Sequence, residues 1–553
     1  MQFENTEIRN PTSEIAVDVL IVGSGPVGAT FARMINDALP DVKILMIDLG
    51  PKLTDKAGMH YKNVKDEKQS EHIQIQSQGP HKKPYPLTSI AERAKAANEG
   101  KLSLELLARP GTHLVSDNIE DLKKNEMPAA AFSSNVGGMG THWTCACPRP
   151  GNAERIPFIP EEEYEYAFAK AEELLSVTQK AFAECAEGLA IQKVLGNVLN
   201  NQLSANRKVQ PMPLACTVDE NGERYWTGAD VILGKLAEPD YKGNFELRSE
   251  TICRKFFISD FGFEISEVAL PHPASHIRHH ISSALIEHLP TKTQEIIKAK
   301  IIITACDALR TPQLLWASGI RPKALGHYLN EHPFIFYFVE LKDEIVKNFE
   351  TAFIPKSEIQ HPKSNDPTIG VFWVPFDAPH HPFHGQIMHM DLSPIKIETK
   401  KDSKHIVGLG WGCTKEVRYE DHIEFSETEK DYLGMPKINL KYTLTANDKN
   451  QIEKAKQVQN KAAAAFGKIL KEGEQTLMPA GTSLHTQGTV RMGETNNGES
   501  VCDSYSNVWD YDNLFVGGNG VIPMSTTSNP TLTSVAMAVR SSEKIISILK
   551  ENK

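Results

Sequence analysis

Gly23, Gly25 and Gly28 stand in the spacing G-x-G-x-x-G, and Asp48 follows 20 residues after the last of them. Glycine permits a tight turn at the first position, close approach of backbone to a pyrophosphate at the second, and close helix packing at the third. A carboxylate at Asp48 suits a ribose hydroxyl. This is dinucleotide chemistry, and the fingerprint alone does not separate FAD from NAD. A second stretch, NVGGMGTHWTCACPRPG at 135–151, runs from a glycine cluster into Thr141, His142, Trp143 and Thr144. Its histidine reads as a metal ligand, a catalytic base, a packed residue or a point of attachment. A third, GTSLHTQGTVRMG at 481–493, holds His485 in a glycine-bounded loop. Imidazole is suited to taking a proton from a hydroxyl near neutral pH. In a fourth, HHPFHGQIMHMD at 380–391, strand alternation puts His384, Gln386 and Met388 on one face, with His389 and Asp391 on the other. Acidic partners there are too few for a metal site, and no metal is assigned.

The elements that must position these residues follow from apolar patterning. Residues 16–50 read as strand, glycine turn, helix and strand, with VDVLIVG and KILMIDLG as buried runs. Residues 51–130 are polar and weakly periodic, which predicts long loops with short helices over the body. Residues 160–200 are helical by pattern. Strands return over 242–305 and end in KAKIIITAC. A helix follows, with Pro312 near its first turn and Gly319 as its stop. Aromatic and β-branched residues between 330 and 445 predict a large sheet. Residues 447–473 predict an amphipathic helix with Ile452, Ala455, Val458, Ala462, Phe466 and Ile469 as its stripe. A strand at 513–518 and a helix from about Thr531 close the chain.

The composition narrows the partners. A net charge of −10 argues against nucleic acid and anionic membrane, both of which call for a basic surface. No apolar run approaches the roughly 20 residues of a membrane span. The polar start MQFENTEIRN has no signal-peptide core, which predicts a cytoplasmic protein. Eight cysteines without paired C-x-x-C spacing read as free thiols, Cys145 and Cys147 included.

The G-x-G-x-x-G at the start, TPQLLWASGI in the middle and NPTLTSVAMAVR at the end together resemble the glucose–methanol–choline (GMC) flavin oxidoreductases. VGGMGTHWTCACP is similar to the pyranose oxidase branch of that family. The resemblance runs from about Val17 to Ile546 and is thin over 51–130 and 190–245. It implies an α/β fold with a discontinuous Rossmann-like FAD-binding domain, expected over 1–155, 245–325 and 476–553. A substrate-binding domain with a mostly antiparallel sheet is expected over 156–244 and 326–475.

The resemblance also implies roles. Gly138, Thr141, Thr144, Asn519, Pro530 and Thr531 would meet FAD, with Thr144 near the flavin's N5 edge. His142 would join the flavin covalently. His485 would be the base and Asn529 its partner on the substrate oxygen. Gln386 would bind a sugar, and His389 and Asp391 would join it only if a bulge restored their facing. Where relatives carry G-T-H-R-M-G, this chain has Gly488-Thr489-Val490-Arg491-Met492-Gly493, so a second histidine's role has no counterpart. The implied reaction takes a secondary hydroxyl, C2 or C3 of a pyranose or glycoside, to a ketone, with dioxygen or a quinone reoxidising the flavin. A non-sugar alcohol such as a sterol or aryl alcohol is the alternative substrate. The oligomeric state stays open.

Overall fold

A computed structural model describes residues 11–551 except 12, 117, 183–185, 221, 260–277, 346–369, 390–405, 471–474 and most of 78–110. Two large sheets organise the chain. In the first, the opening strand Ser13–Val22 lies between Ile44–Ile47 and the long strand Thr293–Thr304, parallel to both. Phe245–Arg248 extends the parallel order on one side, and Leu514–Val516 extends it on the other. An antiparallel pair, Thr251–Ser259 and His280–His288, joins the first half of Thr293–Thr304. Val19, Leu20, Ile21 and the whole of Ile44–Ile47 are buried, as expected of strands covered on both faces.

Two helices meet on this sheet. Pro26–Ala38 carries Val27, Phe31 and Ile35 inward, and its N-terminus opens at Gly25. Thr531–Glu551 packs beside it and against Glu161–Leu175. The expected boundary at 156 is therefore crossed by packing. Tyr164 and Phe168 join the core of the first sheet, whereas Ile191, Leu195 and Leu199 join that of the second.

The second sheet is antiparallel through Phe334–Leu341, Ile406–Cys413, Phe383–His389 and Val371–Val374. One face, with Ile335, Leu409, Trp411 and Ile387, packs on the helix Ala446–Phe466. That helix opens with a capping box, in which Thr445 accepts from Asp448 N while Asp448 accepts from Thr445 N. It ends earlier than its pattern predicts. Gly467 leaves the helix, and Ile469 sits in a short strand at 37% exposure instead of on the buried stripe. The opposite face of the sheet carries Phe334 and Phe336, then Gly410 and Gly412, then His384, Gln386 and Met388 in register. This face is turned towards the segments that hold His485 and Asn529: a Cβ on Gly412 would lie 2.9 Å from Thr527 O and 3.3 Å from the His332 ring.

Candidate active site

The dinucleotide fingerprint folds as a cradle. Gly23 has φ +106°, and a Cβ on it would sit 2.4 Å from Ala305 O. A Cβ on Gly28 would come within 2.0 Å of Gly23 O, so only glycine lets the helix cross the strand this closely. Gly25 differs, since a Cβ there would meet no protein atom nearer than Gly137 O at 3.9 Å. The space beside it opens into a cavity. Ser24 donates its hydroxyl to Asp48 Oδ2 at 2.6 Å and accepts from Gly137 N at 2.8 Å, which ties the strand end to the second glycine loop. Burial pushes the Asp48 carboxyl up from its ordinary pKa, with Ser24 and Gly50 N–H groups acting against that.

Gly23, Ser24, Gly25 and Asp48 line a cavity that opens to solvent. Gly138, Met139, Gly140 and Trp143 line it from the second loop, Asn519 from the short turn Asn519–Val521 and Thr531 from the start of the C-terminal helix. Helix N-termini supply unpaired N–H groups to phosphates, and the Pro26–Ala38 helix opens onto this space. The residues present fit FAD.

His142 stands apart from the cavity lining. Its ring is buried, Nε2 lies 3.1 Å from Ser77 Oγ and Nδ1 2.6 Å from Thr141 Oγ1. Tyr61 stacks on it at 5.2 Å, and Gly111 makes room for it, because a Cβ there would fall 2.4 Å from the ring. Desolvation lowers its pKa to about 3, so the imidazole is neutral. Thr144 is half-buried and also lies away from the cavity wall.

His485 and Asn529 come together although 44 residues separate them. Asn529 Nδ2 lies 3.3 Å from His485 Nε2. Leu484, which lines the cavity at φ +58°, precedes the histidine, and Thr531 lines it just after Pro530. A non-glycine residue in the left-handed region stores backbone strain, a recurrent feature of active sites. The other ring nitrogen of His485, Nδ1, lies 2.8 Å from His332 Nε2, and His332 Nδ1 lies 3.1 Å from Thr526 O. Desolvation first, then the neighbouring His332 and His384, hold the His485 pKa well below 6.5.

Gln386 is buried on the sheet face described above, with its Nε2 lacking a protein partner among the described residues. His384 beside it keeps Nδ1 on Trp373 Nε1 at 3.0 Å and leaves Nε2 without one. Buried polar groups of this kind call for a hydrogen-bond partner. The strand register runs without a bulge from Phe383 to His389, so His389, opposite Val407, stays on the alternate register to Gln386. Asp391 lies outside the described residues.

Patterning does not reveal three residues of this site. Glu331 accepts from Gly481 N and from His485 N, and so ties down the loop of His485. Glu154 holds the segment before Asn529, and His332 holds the His485 ring. The one sequence signal was Asn330-Glu331-His332, three polar residues directly before an apolar strand. All three are buried.

Comparison with known proteins agrees with this architecture. Residues 422–538 match the family model described as GMC oxidoreductase. A C-glycoside 3-oxidase of Microbacterium trichothecenolyticum is 38% identical over 532 residues, 96% of each chain. A pyranose 2-oxidase of Tricholoma matsutake is 29% identical over 99% of this chain and 97% of its own. A solved formate oxidase of Aspergillus oryzae superposes with a TM-score of 0.64 over 98% of this chain and 100% of its own, at 12% identity, which speaks for the fold alone. With a relative 38% identical across nearly its full length, the chain belongs to the GMC oxidoreductases, whose cofactor is FAD.

Proposed function

We propose that this protein oxidises a secondary hydroxyl, at C2 or C3, of a pyranose or glycoside to a ketone. The observation that carries the reading is the His485–Asn529 pair, next in sequence to Leu484 and near Thr531 of the cavity lining, with buried polar groups of Gln386 and His384 on the facing sheet. The relatives named C-glycoside 3-oxidase and pyranose 2-oxidase support a carbohydrate substrate. A sterol or aryl alcohol would gain little from those polar groups.

FAD, when bound, accepts the hydride that leaves the substrate carbon. The chain's own groups manage the proton. Burial keeps His485 neutral, so its Nε2 can take the hydroxyl proton as the carbonyl forms. Asn529 Nδ2 points at the same place and donates to the substrate oxygen. Dioxygen, released as hydrogen peroxide, is the favoured final acceptor, with a quinone as the other. Anaerobic titration with a panel of sugars and glycosides tests the reading, with NMR of the product to place the keto group. Bleaching by sterols or aryl alcohols but by no sugar would overturn it.

The finer reading is that FAD is attached through His142. It is supported by a neutral imidazole directly after a glycine turn whose residues 138–140 line the cavity. Attachment requires the ring to leave Ser77 and turn towards the flavin. After acid precipitation the yellow colour should stay with the protein, and a peptide containing His142 should carry the flavin mass. Complete release of flavin to the supernatant would establish non-covalent binding.

A further inference from the structure

We propose that His332 is a positioning residue that decides which nitrogen of His485 acts as the base. The inference rests on the reading of His485 as the base and adds the group that sets its tautomer.

A chain of hydrogen bonds runs from Thr526 through His332 to His485 and Asn529. Thr526 O is a carbonyl and can only accept, so the His332 nitrogen 3.1 Å away, Nδ1, carries hydrogen. Desolvation lowers the His332 pKa to about 4, so the ring holds one proton and Nε2 is bare. That bare nitrogen lies 2.8 Å from His485 Nδ1, which must therefore carry the hydrogen of that contact. His485 is neutral too, which leaves its Nε2 with a lone pair. Asn529 Nδ2, a donor, is found at that nitrogen. The amide orientation and both imidazole tautomers thus agree with one another, from a backbone carbonyl out to the substrate side.

Packing keeps the chain in place. The two rings meet edge to face, with centroids 4.6 Å apart at 64°. Gly412 leaves space for His332, since a Cβ there would press on its Cδ2 at 3.3 Å. Glu331 holds the backbone of His485 from the same short segment. When His485 Nε2 receives the substrate proton the ring becomes an imidazolium. Its Nδ1–H then donates to His332 Nε2, an acceptor already aimed and already desolvated. Without His332 the ring is free to carry its proton on Nε2, where it cannot accept one from substrate.

The test uses holoenzyme labelled with 15N-histidine, together with His332→Leu and His332→Gln. Leu removes the acceptor, whereas Gln can return an oxygen to the position of Nε2. In wild type, the His485 resonances, assigned by their loss in His485→Gln, should show protonated Nδ1 and bare Nε2. In His332→Leu they should move to the other tautomer or average between the two. Flavin reduction by sugar should fall there by roughly 10²–10⁴-fold, the scale of loss when a catalytic histidine is left in the wrong tautomer. KM should stay within a few-fold, and His332→Gln should recover most of the rate. A wild-type spectrum with Nε2 protonated overturns the proposal, and this holds even if His332→Leu does not fold. Equal losses in the Leu and Gln variants, with the His485 tautomer unchanged, also overturn it and leave His332 a packing residue. A failure of sugars to reduce the flavin counts against the functional reading instead, because the tautomer measurement needs no substrate.

Discussion

Glu154 holds Thr527 at both ends: Oε1 accepts from the Thr527 backbone N at 2.6 Å and from its hydroxyl at 2.8 Å. Its second oxygen accepts from Ser528 Oγ at 3.2 Å and from Gly151 N at 2.8 Å. The carboxylate is 1% exposed, and Thr527, which it holds, lies two residues before Asn529. It fixes the loop that presents the amide to His485.

Glu154→Gln should therefore act on stability and on catalysis together. An amide brings an NH₂ to a site where every neighbour is a donor, so at least one buried N–H or O–H loses its acceptor. Hydrogen bonds to a buried charged group contribute about 1.5–3 kcal/mol each. We expect a lower Tm and a flavin reduction rate at least tenfold slower, with the flavin spectrum kept. A variant with wild-type Tm and reduction rate would remove Glu154 from the site's support.

The two glycines of the cradle separate a folding role from a binding role. Gly28→Ala drives a methyl into Gly23 O and should yield little folded protein. Gly25→Ala meets open space in the protein alone. It should leave the apoprotein's Tm unchanged and weaken FAD binding by tenfold or more, read from flavin content and from a titration of apoprotein. If Gly25→Ala destabilised the apoprotein as much as Gly28→Ala does, the space beside it would have no ligand role.

How far the sequence revealed this site depended on where each partner lies. The cradle was legible because Gly23 and Gly28 answer to backbone geometry within one strand–turn–helix unit, and Asp48 follows in the next strand. His485 and Asn529 were legible through short motifs. Glu154 was not, because its partner Thr527 is 373 residues away, and His332 meets His485 across 153. Such pairings leave no periodicity to read. Local pattern misled at Ile469, where helical spacing continues past a glycine that ends the helix. It also left His142 undetermined, since a glycine-rich turn does not say whether a ring points at the cavity or, as here, at Ser77 and Tyr61.

Gln386→Ala should raise KM for the sugar by tenfold or more with an unchanged flavin spectrum. Its amide is buried and Nε2 has no protein partner among the described residues, so a ligand hydroxyl is the group that would satisfy it. Removing a side chain with no internal bond at that atom should cost the fold little, and Tm should change by only a few degrees. Substitution at His389, on the alternate register, should have a much smaller effect on KM. An unaltered KM in Gln386→Ala across several sugars would place the substrate elsewhere.

Acid should destabilise the protein at a pH above the range where carboxylates titrate. His60, His142 and His384 have pKa values lowered to about 3, and His332 and His381 to about 4, desolvation being the largest cause in each. In the unfolded chain these imidazoles titrate near 6.5. Between 6.5 and the folded values the unfolded state binds more protons, so stability rises with pH there and is lost on acidification. Each such group contributes up to about 1.4 kcal/mol per pH unit below 6.5, and His485 adds in the same sense. Asp48, Asp230, Asp307 and Asp503 oppose this, because burial raises their folded pKa and their protonation favours the fold. Their effect begins only as pH nears those raised values. Tm should therefore be nearly level from pH 8 to 7 and fall steeply from 6.5 to 5. Replacing one buried ring, as in His381→Gln, should make that slope shallower. If His381→Gln left the slope of Tm between pH 6.5 and 5 unchanged, the His381 ring would be gaining its proton in the folded state at its ordinary pKa.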